Sequence, residues 1–418
     1  MSDSHDDLFN YSSGRWLVNN DLRLAERRRE FDVDELCRLA AQSVGRSPQD
    51  IDTFVKLAEG GFNRTFLITM HGGFEMVARI PYPVTVPKFY AIASEVATMR
   101  FLRSSGLPVP EVYDYSSSSD NAAKTEYIFM EFMRRTKLSD VWLELEEPDI
   151  VSVLRQTAQL ESRMMSIPFP AGGSLPSRRI VARPQEPSPP SFPLQPTGNR
   201  GPARLATCLD STPPFLLAGI PDRLQNYDDP VSQALIPPSL PANVDRLDQS
   251  EQSDAMGLYH RRLVHFHYVK NTQEYNKFHH DALSDPVSMF VRRLFDQAGA
   301  PWEGETHALK ASLIEATEIW GRLTGEGVPC PVVFEPEDLH KTKELSARLQ
   351  IADEIFEGCR GIVGFETETW VSNEHYEMAM ALAELLKLRV LTHIPEEEVR
   401  AKTEANWFLN DMDEKDYM

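Results

Sequence analysis

Basic residues are in deficit. The 43 Lys and Arg stand against 63 Asp and Glu, which gives a net charge of −20 and a sequence pI near 5.0. Nucleic acid backbones and anionic lipid surfaces are held by clustered Lys and Arg, so this balance argues against either as the main partner. Long apolar runs are missing as well. No stretch approaches the roughly 20 apolar residues a membrane span needs, and none is expected to cross a bilayer. Cysteine is scarce: Cys37, Cys208, Cys330 and Cys359 are scattered, with no CxxC pair. Disulfide frameworks and zinc clusters need paired spacing, so free thiols in a reducing, intracellular compartment are expected. The opening MSDSHDDLF is acidic. It matches neither a secretory signal nor an Arg-rich transit peptide. Internal repeats are absent.

What is present is a chain of 418 residues, 41% hydrophobic and 25% charged. That is enough for a sizeable core and two or three lobes, since domains commonly hold roughly 100–200 residues. FDVDELCRLAAQSVG (31–45) reads as a helix capped by Asp32, with Glu35 placed to complete a capping box. FVKLAEGGFNRTFLITM, HGG and FEMVARIP follow. Their alternating apolar residues predict strand, Gly-Gly loop, strand, tight glycine turn, strand. KFYAIASEVATMRFLRSSG (88–106) predicts an amphipathic helix ended by Gly106, and LPVPEVYDY and TEYIFMEFM predict two further strands across the polar SSSSDN. PDIVSVLRQTAQLESRMMSIP (148–168) is again helical, with Pro148 in the favoured first position. Helices are predicted at 251–270, 286–298, 305–323, 335–358, 371–389 and 395–408.

Between these parts order is not expected. Residues 176–214 hold ten of the 30 prolines and five arginines. Proline removes backbone donors and does not fit central strands, so this composition cannot build a strand pair. The fold expected is α+β: a five-stranded antiparallel N-terminal part, a mostly helical C-terminal part and a disordered central insert. The boundaries expected are 1–50 (extension and helix), 51–135 (sheet lobe), 136–170 (start of the helical lobe), 171–214 (Pro/Arg-rich segment) and 215–410 (helical lobe).

Chemistry is suggested in the sheet lobe. Gly60 and Gly61 sit between two predicted strands. They make either a plain hairpin turn or a loop whose amides lie over nucleotide phosphates. Arg79 is on the third strand and Glu95 mid-helix, and each is either an ordinary surface residue or half of a cation–carboxylate pair. A kinase-like nucleotide site needs the order glycine loop, strand cation, helix acid, two strands, hinge. Gly60-Gly61, Arg79, Glu95 and EYIFMEFM (126–133) supply it.

EGGFNRTF, VARIPYP, SEVATMRFLRSSGLPVPEVYDY and YIFMEFM resemble the aminoglycoside phosphotransferase family, a relative of choline kinases and protein kinases. DLFNYSSGRWLVNN, FLLAGIPDRLQNYDDP and the helical C-terminus are similar to its fungal branch of altered-inheritance-of-mitochondria proteins. The resemblance runs over about 7–175 and 213–410. It implies a protein-kinase-like two-lobed fold that binds ATP or GTP with Mg²⁺. The nucleotide-binding residues it implies are Gly60, Gly61, Asn63, Arg79 in the place of the kinase lysine, Glu95 as its partner, and Met130, Glu131 and Phe132 as the hinge receiving the base. It also implies mitochondrial placement; otherwise the cytoplasm is expected. The acceptor is not readable.

The family's transfer chemistry depends on an H-x-D-L-x-x-x-N loop and a further metal-binding Asp, both falling between a helix like 148–168 and a segment like FLLAGIP. Here that interval holds the Pro/Arg run, in which Asp210 alone stands near the expected metal position, with no Trp or Phe after it. His279-His280-Asp281 is an H-x-D, but Pro286 occupies the Asn position. A capping role for Asp285 between helices explains that segment better. His260, His265 and His267 are read as ordinary helix residues, because i and i+2 point to different faces. No catalytic residue and no metal ligand is assigned. Three readings follow: a kinase-like protein inert in transfer, an active small-molecule kinase using Asp281 or Asp210, and a helical interaction module marked by an exposed apolar patch on the C-terminal helices.

Overall fold

The computed structural model describes residues 6–134, 136, 138–142, 145–167, 236–240, 244, 248–299, 306–325, 327–366 and 369–411. The Pro/Arg-rich run, Asp210, Cys208 and FLLAGIPDRLQNYDDP lie outside them.

The chain begins with α1 (Asp6–Phe9), β1 (Gly14–Trp16), α2 (Asn20–Arg27) and α3 (Val33–Ser43). The Asp32 carboxylate accepts from the Glu35 amide at 3.1 Å and caps α3, as its sequence predicts. Then come β2 (Ile51–Glu59), β3 (Asn63–Met70), β4 (Phe74–Pro81), α4 (Lys88–Ser104), β5 (Val112–Ser116) and β6 (Tyr127–Glu131). The five strands form an antiparallel sheet in the order β2-β3-β4-β6-β5. The β3–β4 turn needs its glycines: Gly72 and Gly73 have φ of 80° and 75°, and Gly73 donates to the Met70 carbonyl at 3.0 Å.

Period-two alternation sends the two faces of the sheet to different helices. Phe66, Ile68, Met70, Met76, Ala78, Ile80 and Phe129 pack on one face with Leu36 and Ala40 of α3. Val77, Ile128 and Met130 pack on the other with Ile92, Val96 and Met99 of α4. Met164 joins this second core from α6 (Glu147–Met165), which follows the short α5 (Leu138–Val141).

The rest of the described chain is mostly helical: α7 (Gln249–Tyr275), α8 (Lys277–Ser284), α9 (Pro286–Gly299), α10 (Thr306–Glu318), α11 (Trp320–Thr324), α12 (Pro336–Val363), α13 (Tyr376–Thr392) and α14 (Glu397–Ala405), with β7 (Trp370–Ser372) before α13. Trp142, Ile150, Leu154 and Val264 form the core between α6 and α7. His267 there bonds Glu147 at 2.8 Å, an ordinary structural use of a helix histidine. The α+β class with an antiparallel N-terminal sheet and a helical C-terminal part is therefore observed.

Three local expectations need correction. The helix predicted over 371–389 starts only at Tyr376, because Trp370–Ser372 pairs antiparallel with Gly14–Trp16. The partner strand lies at the other end of the sequence, beyond any local pattern. The helix predicted over 305–323 is interrupted at Ile319, where the Arg322 amide donates to the Ile319 carbonyl in a tighter turn. The segment FHHDALSDP was expected between helices, yet Lys277–Ser284 is itself helical, with Asn276 as its cap. Asp285 does cap the next helix, accepting from the amides of Val287 at 3.2 Å and Ser288 at 3.0 Å.

The β1–β7 ribbon joins the two ends of the described chain. Leu17 packs with Val363, Phe365, Val371, Ala379 and Ala383. Arg15 lies 3.7 Å from the centroid of the Tyr376 ring, and Asn19 donates to Asp411 at 2.6 Å. A Cβ at Gly14 would fall 2.5 Å from the Trp370 ring and 2.5 Å from the Val371 carbonyl oxygen. The backbone oxygen cannot step aside cheaply. Gly14→Ala is therefore expected to open the ribbon while the large sheet stays intact. Amide hydrogen exchange checks this: Leu17 donates to the Thr369 carbonyl at 3.0 Å, so faster exchange at Leu17 with unchanged protection in β3 and β4 is the expected result, and unchanged exchange at Leu17 contradicts it.

Candidate functional site

Gly60, Gly61 and Phe62 connect β2 to β3, and the Gly60 amide donates to the Asn63 carbonyl at 2.9 Å. Neither glycine has positive φ. A Cβ at Gly61 would meet nothing within 4 Å, and one at Gly60 only the Asn63 oxygen at 3.6 Å. The turn itself does not require glycine. Phe62 stands 67% exposed at the tip. Its carbonyl accepts from the Tyr82 amide at 2.9 Å and the Thr85 hydroxyl at 2.6 Å, which ties the tip to the segment after β4.

Beneath the tip lies an ion pair. Glu59 and Arg64 face each other at the last register position of β2 and β3, with Nε to Oε1 at 2.9 Å. Both side chains are almost wholly buried. The second Glu59 oxygen accepts from the Ser12 amide and the Ser13 hydroxyl, each at 2.8 Å, and Lys56 approaches at 3.1 Å. The Arg64 guanidinium also donates to the carbonyls of Leu8 at 2.8 Å and Arg27 at 3.4 Å. Burial alone lifts a carboxyl pKa. The Ser12 amide, the Ser13 hydroxyl and the Lys56 ammonium outweigh it, and the Glu59 carboxyl is held below its usual range.

Arg79 occupies the β4 face that carries Val77, the face covered by α4. Glu95 shares the helix stripe of Ile92 and Met99, one turn from each. The two side chains meet: the Arg79 guanidinium donates to the Glu95 carboxylate, and both remain partly exposed. Arg79 Nε is buried without a partner. Asn63 is in register with Pro81 and Thr65 with Arg79, so the hairpin and the cation lie on adjacent strands near one end of the sheet. The structure thus brings Gly60, Gly61, Asn63, Arg79 and Glu95 into one region.

Met130 and Glu131 close β6 and Phe132 follows it. Met130 is buried in the α4-side core and Phe132 packs against it. The Glu131 carboxylate accepts from the Glu111 amide at 3.1 Å and Arg103 at 3.3 Å. Asp281 belongs to α8, which packs on α7 and α9, and is paired with Lys277 at 2.8 Å. Among the described residues no cluster of three His, Cys, Asp or Glu is arranged to hold a metal, and no helix is long and apolar enough to cross a membrane.

Sequence reasoning passed over Glu59 and Arg64. The available signal was two opposite charges, at 59 and 64, closing the mouth of a two-glycine turn. Their burial depends on Leu8, Ser12, Ser13 and Arg27, which no local pattern links to them.

No family model matches this chain. A subtelomeric hrmA-associated cluster protein of Aspergillus fumigatus is 23% identical over 462 aligned residues, spanning 78% of this chain and 90% of that protein. The mitochondrial altered inheritance of mitochondria protein 9 of Yarrowia lipolytica is 30% identical over 189 residues, 41% of this chain and 33% of its own length. Its Candida albicans namesake is 28% identical over 215 residues, 42% of this chain and 34% of its own. The chain is thus similar, over about four-tenths of its length, to proteins of the branch its motifs resemble. A solved Ralstonia eutropha structure, described as a candidate aminoglycoside phosphotransferase, covers 33% of this chain and 39% of its own at 17% identity and a TM-score of 0.25. That likeness is too slight to carry an argument.

Removing one partner of a buried ion pair leaves the other charge uncompensated, at a cost of about 3–5 kcal/mol. Glu59→Gln is expected to lose stability in this range at neutral pH. Because the folded carboxyl pKa is depressed, the contribution is present above the unfolded value, about 4.3, and is lost as pH falls through the folded one. Urea denaturation of both forms checks it: the gap should hold above about pH 4.3 and shrink as the pH falls below that value, and a gap independent of pH contradicts the assignment.

Proposed function

We propose that residues 51–135 form a nucleotide-binding lobe of the kinase-like phosphotransferase type, and that this chain is inert in phosphoryl transfer. The observation that carries the reading is the Arg79–Glu95 pair, a strand cation held by a helix carboxylate beside a glycine hairpin. In phosphoryl-transfer enzymes such a pair positions a cation on the nucleotide phosphates. Arginine suits that task, being permanently charged and bidentate. The unmet Nε donor of Arg79 is consistent with a guanidinium that resettles on a phosphate. The turn at Gly60, Gly61 and Asn63 would lie over the phosphates, and the chain at Met130–Phe132 would receive the base. The bare backbone at Gly61 supports this, because the turn itself gives no reason for a glycine there.

Transfer needs a carboxylate near the acceptor hydroxyl and carboxylates on Mg²⁺. No histidine occurs between His71 and His260, so the H-x-D loop has no counterpart where it would fall. Asp281 is held by a hydrogen bond from Lys277 below the usual aspartate range, which makes it a weak base. Among the described residues no group of three His, Cys, Asp or Glu is placed to hold Mg²⁺. Mitochondrial placement is proposed only from the names of the relatives.

Nucleotide-dependent thermal stabilisation tests the first half of the reading. At ATP a hundredfold above Kd, binding should add about 2.7 kcal/mol. Arg79→Ala should weaken binding about tenfold or more. Gly61→Val should leave the free protein's Tm unchanged and reduce the ATP-dependent shift. Absence of any shift, with and without Mg²⁺, would sink nucleotide binding. For the second half, ATP turnover should be undetectable; turnover lost in Asp281→Ala or Asp210→Ala would show an active enzyme instead.

A further inference from the structure

Helix α13 carries an apolar stripe turned away from the fold. Ala379 and Ala383 are buried against Leu17, Val363 and Phe365. On the opposite side Met378, Leu385 and Leu388 are 58%, 61% and 64% exposed. Ala381 and Thr392 are exposed in line with them. The spacing 378, 381, 385, 388, 392 is a heptad seam, three and four residues alternating over two repeats. At 100° per residue these positions share one face of the helix, roughly opposite the buried alanines.

Charges flank the seam on both sides. Glu384 borders it where a heptad places its g position, and Arg389 where the next heptad places its e position. Both are exposed, and among the described residues neither makes an ion pair within the chain. In a parallel pair of helices, g of one strand meets the following e of the other, five residues on. Glu384 and Arg389 are five residues apart. Two copies placed side by side in parallel would bring Glu384 of each to Arg389 of the other, twice across the two-fold axis. An antiparallel pair would oppose Glu384 to Glu384 instead.

We propose that α13 is a homodimerisation surface. Two copies pair in parallel through Met378, Ala381, Leu385 and Leu388, with register set by reciprocal Glu384–Arg389 contacts. Two heptads are short for free peptides, because helix nucleation opposes them. Here α13 is already folded and held by α12 and α14, so that cost is met before association. The inference is independent of the nucleotide reading.

Sedimentation equilibrium on the full chain over a wide concentration range, at low and high salt, tests it. The wild type should dimerise. The double variant Leu385→Glu, Leu388→Glu should be monomeric while its Tm stays near wild type, since both side chains are solvent-facing. Glu384→Arg should raise the dimer Kd roughly tenfold or more at low salt, because two attractive pairs become repulsive. Adding Arg389→Glu to Glu384→Arg should restore the affinity, which loss of folding could not mimic. A wild type that stays monomeric overturns the proposal, including the case in which the seam is protected from exchange by a segment of its own chain. So does a dimer indifferent to the leucine substitutions or to the charge exchange.

Discussion

The ion pair between Glu59 and Arg64 is the constraint on which the hairpin end of the sheet depends. Two buried opposite charges at the mouth of the β2–β3 hairpin are tolerable only if their remaining hydrogen-bonding capacity is filled. The strands cannot fill it themselves. The N-terminal segment does so, through the Ser12 amide, the Ser13 hydroxyl and the carbonyls of Leu8 and Arg27. The glycine tip is thus held from below by a segment that shares none of its backbone pairing. The same segment pairs with Trp370–Ser372, and Asn373 donates to the Ser12 carbonyl at 2.7 Å. A chain of direct contacts therefore runs from the C-terminal helices to the glycine turn.

Most of the sheet lobe was legible in the sequence, because its elements declare themselves locally. Alternation in FNRTFLITM and FEMVARIP, the Gly72-Gly73 turn and the amphipathic 88–106 stretch each have one economical reading. The pairing of Arg79 with Glu95 was legible as a possibility, since both lie at the edges of apolar faces that had to meet. What escaped was non-local. WVS before α13 reads as the start of a helix until GRW is placed beside it. Glu59 and Arg64 read as ordinary strand-end charges until the N-terminal segment covers them. FHHDALS looked like a loop because its apolar positions are few, and tertiary packing against α7 and α9 supplied the helix.

Both halves of the molecule keep some buried polar atoms without a hydrogen-bond partner. In the sheet lobe these include Arg79 Nε, Tyr82 Oη and Asn121 Oδ1. In the α6–α8 region Thr272 and His280 retain buried atoms without a partner, although Tyr268 donates to both oxygens of Glu161 at 3.1 Å. Buried polar atoms left unmet cost about 1–3 kcal/mol each.

The β1–β7 ribbon has a consequence for biosynthesis. A ribosome adds roughly 5–20 residues per second. Gly14–Trp16 leaves it about 350 residues before Trp370–Ser372. For most of that interval the first strand presents bare amide and carbonyl groups, a template for stray chains. Its brevity and the charge of Arg15 limit the hazard, and the edge closes only when Trp370–Ser372 arrives to pair with it.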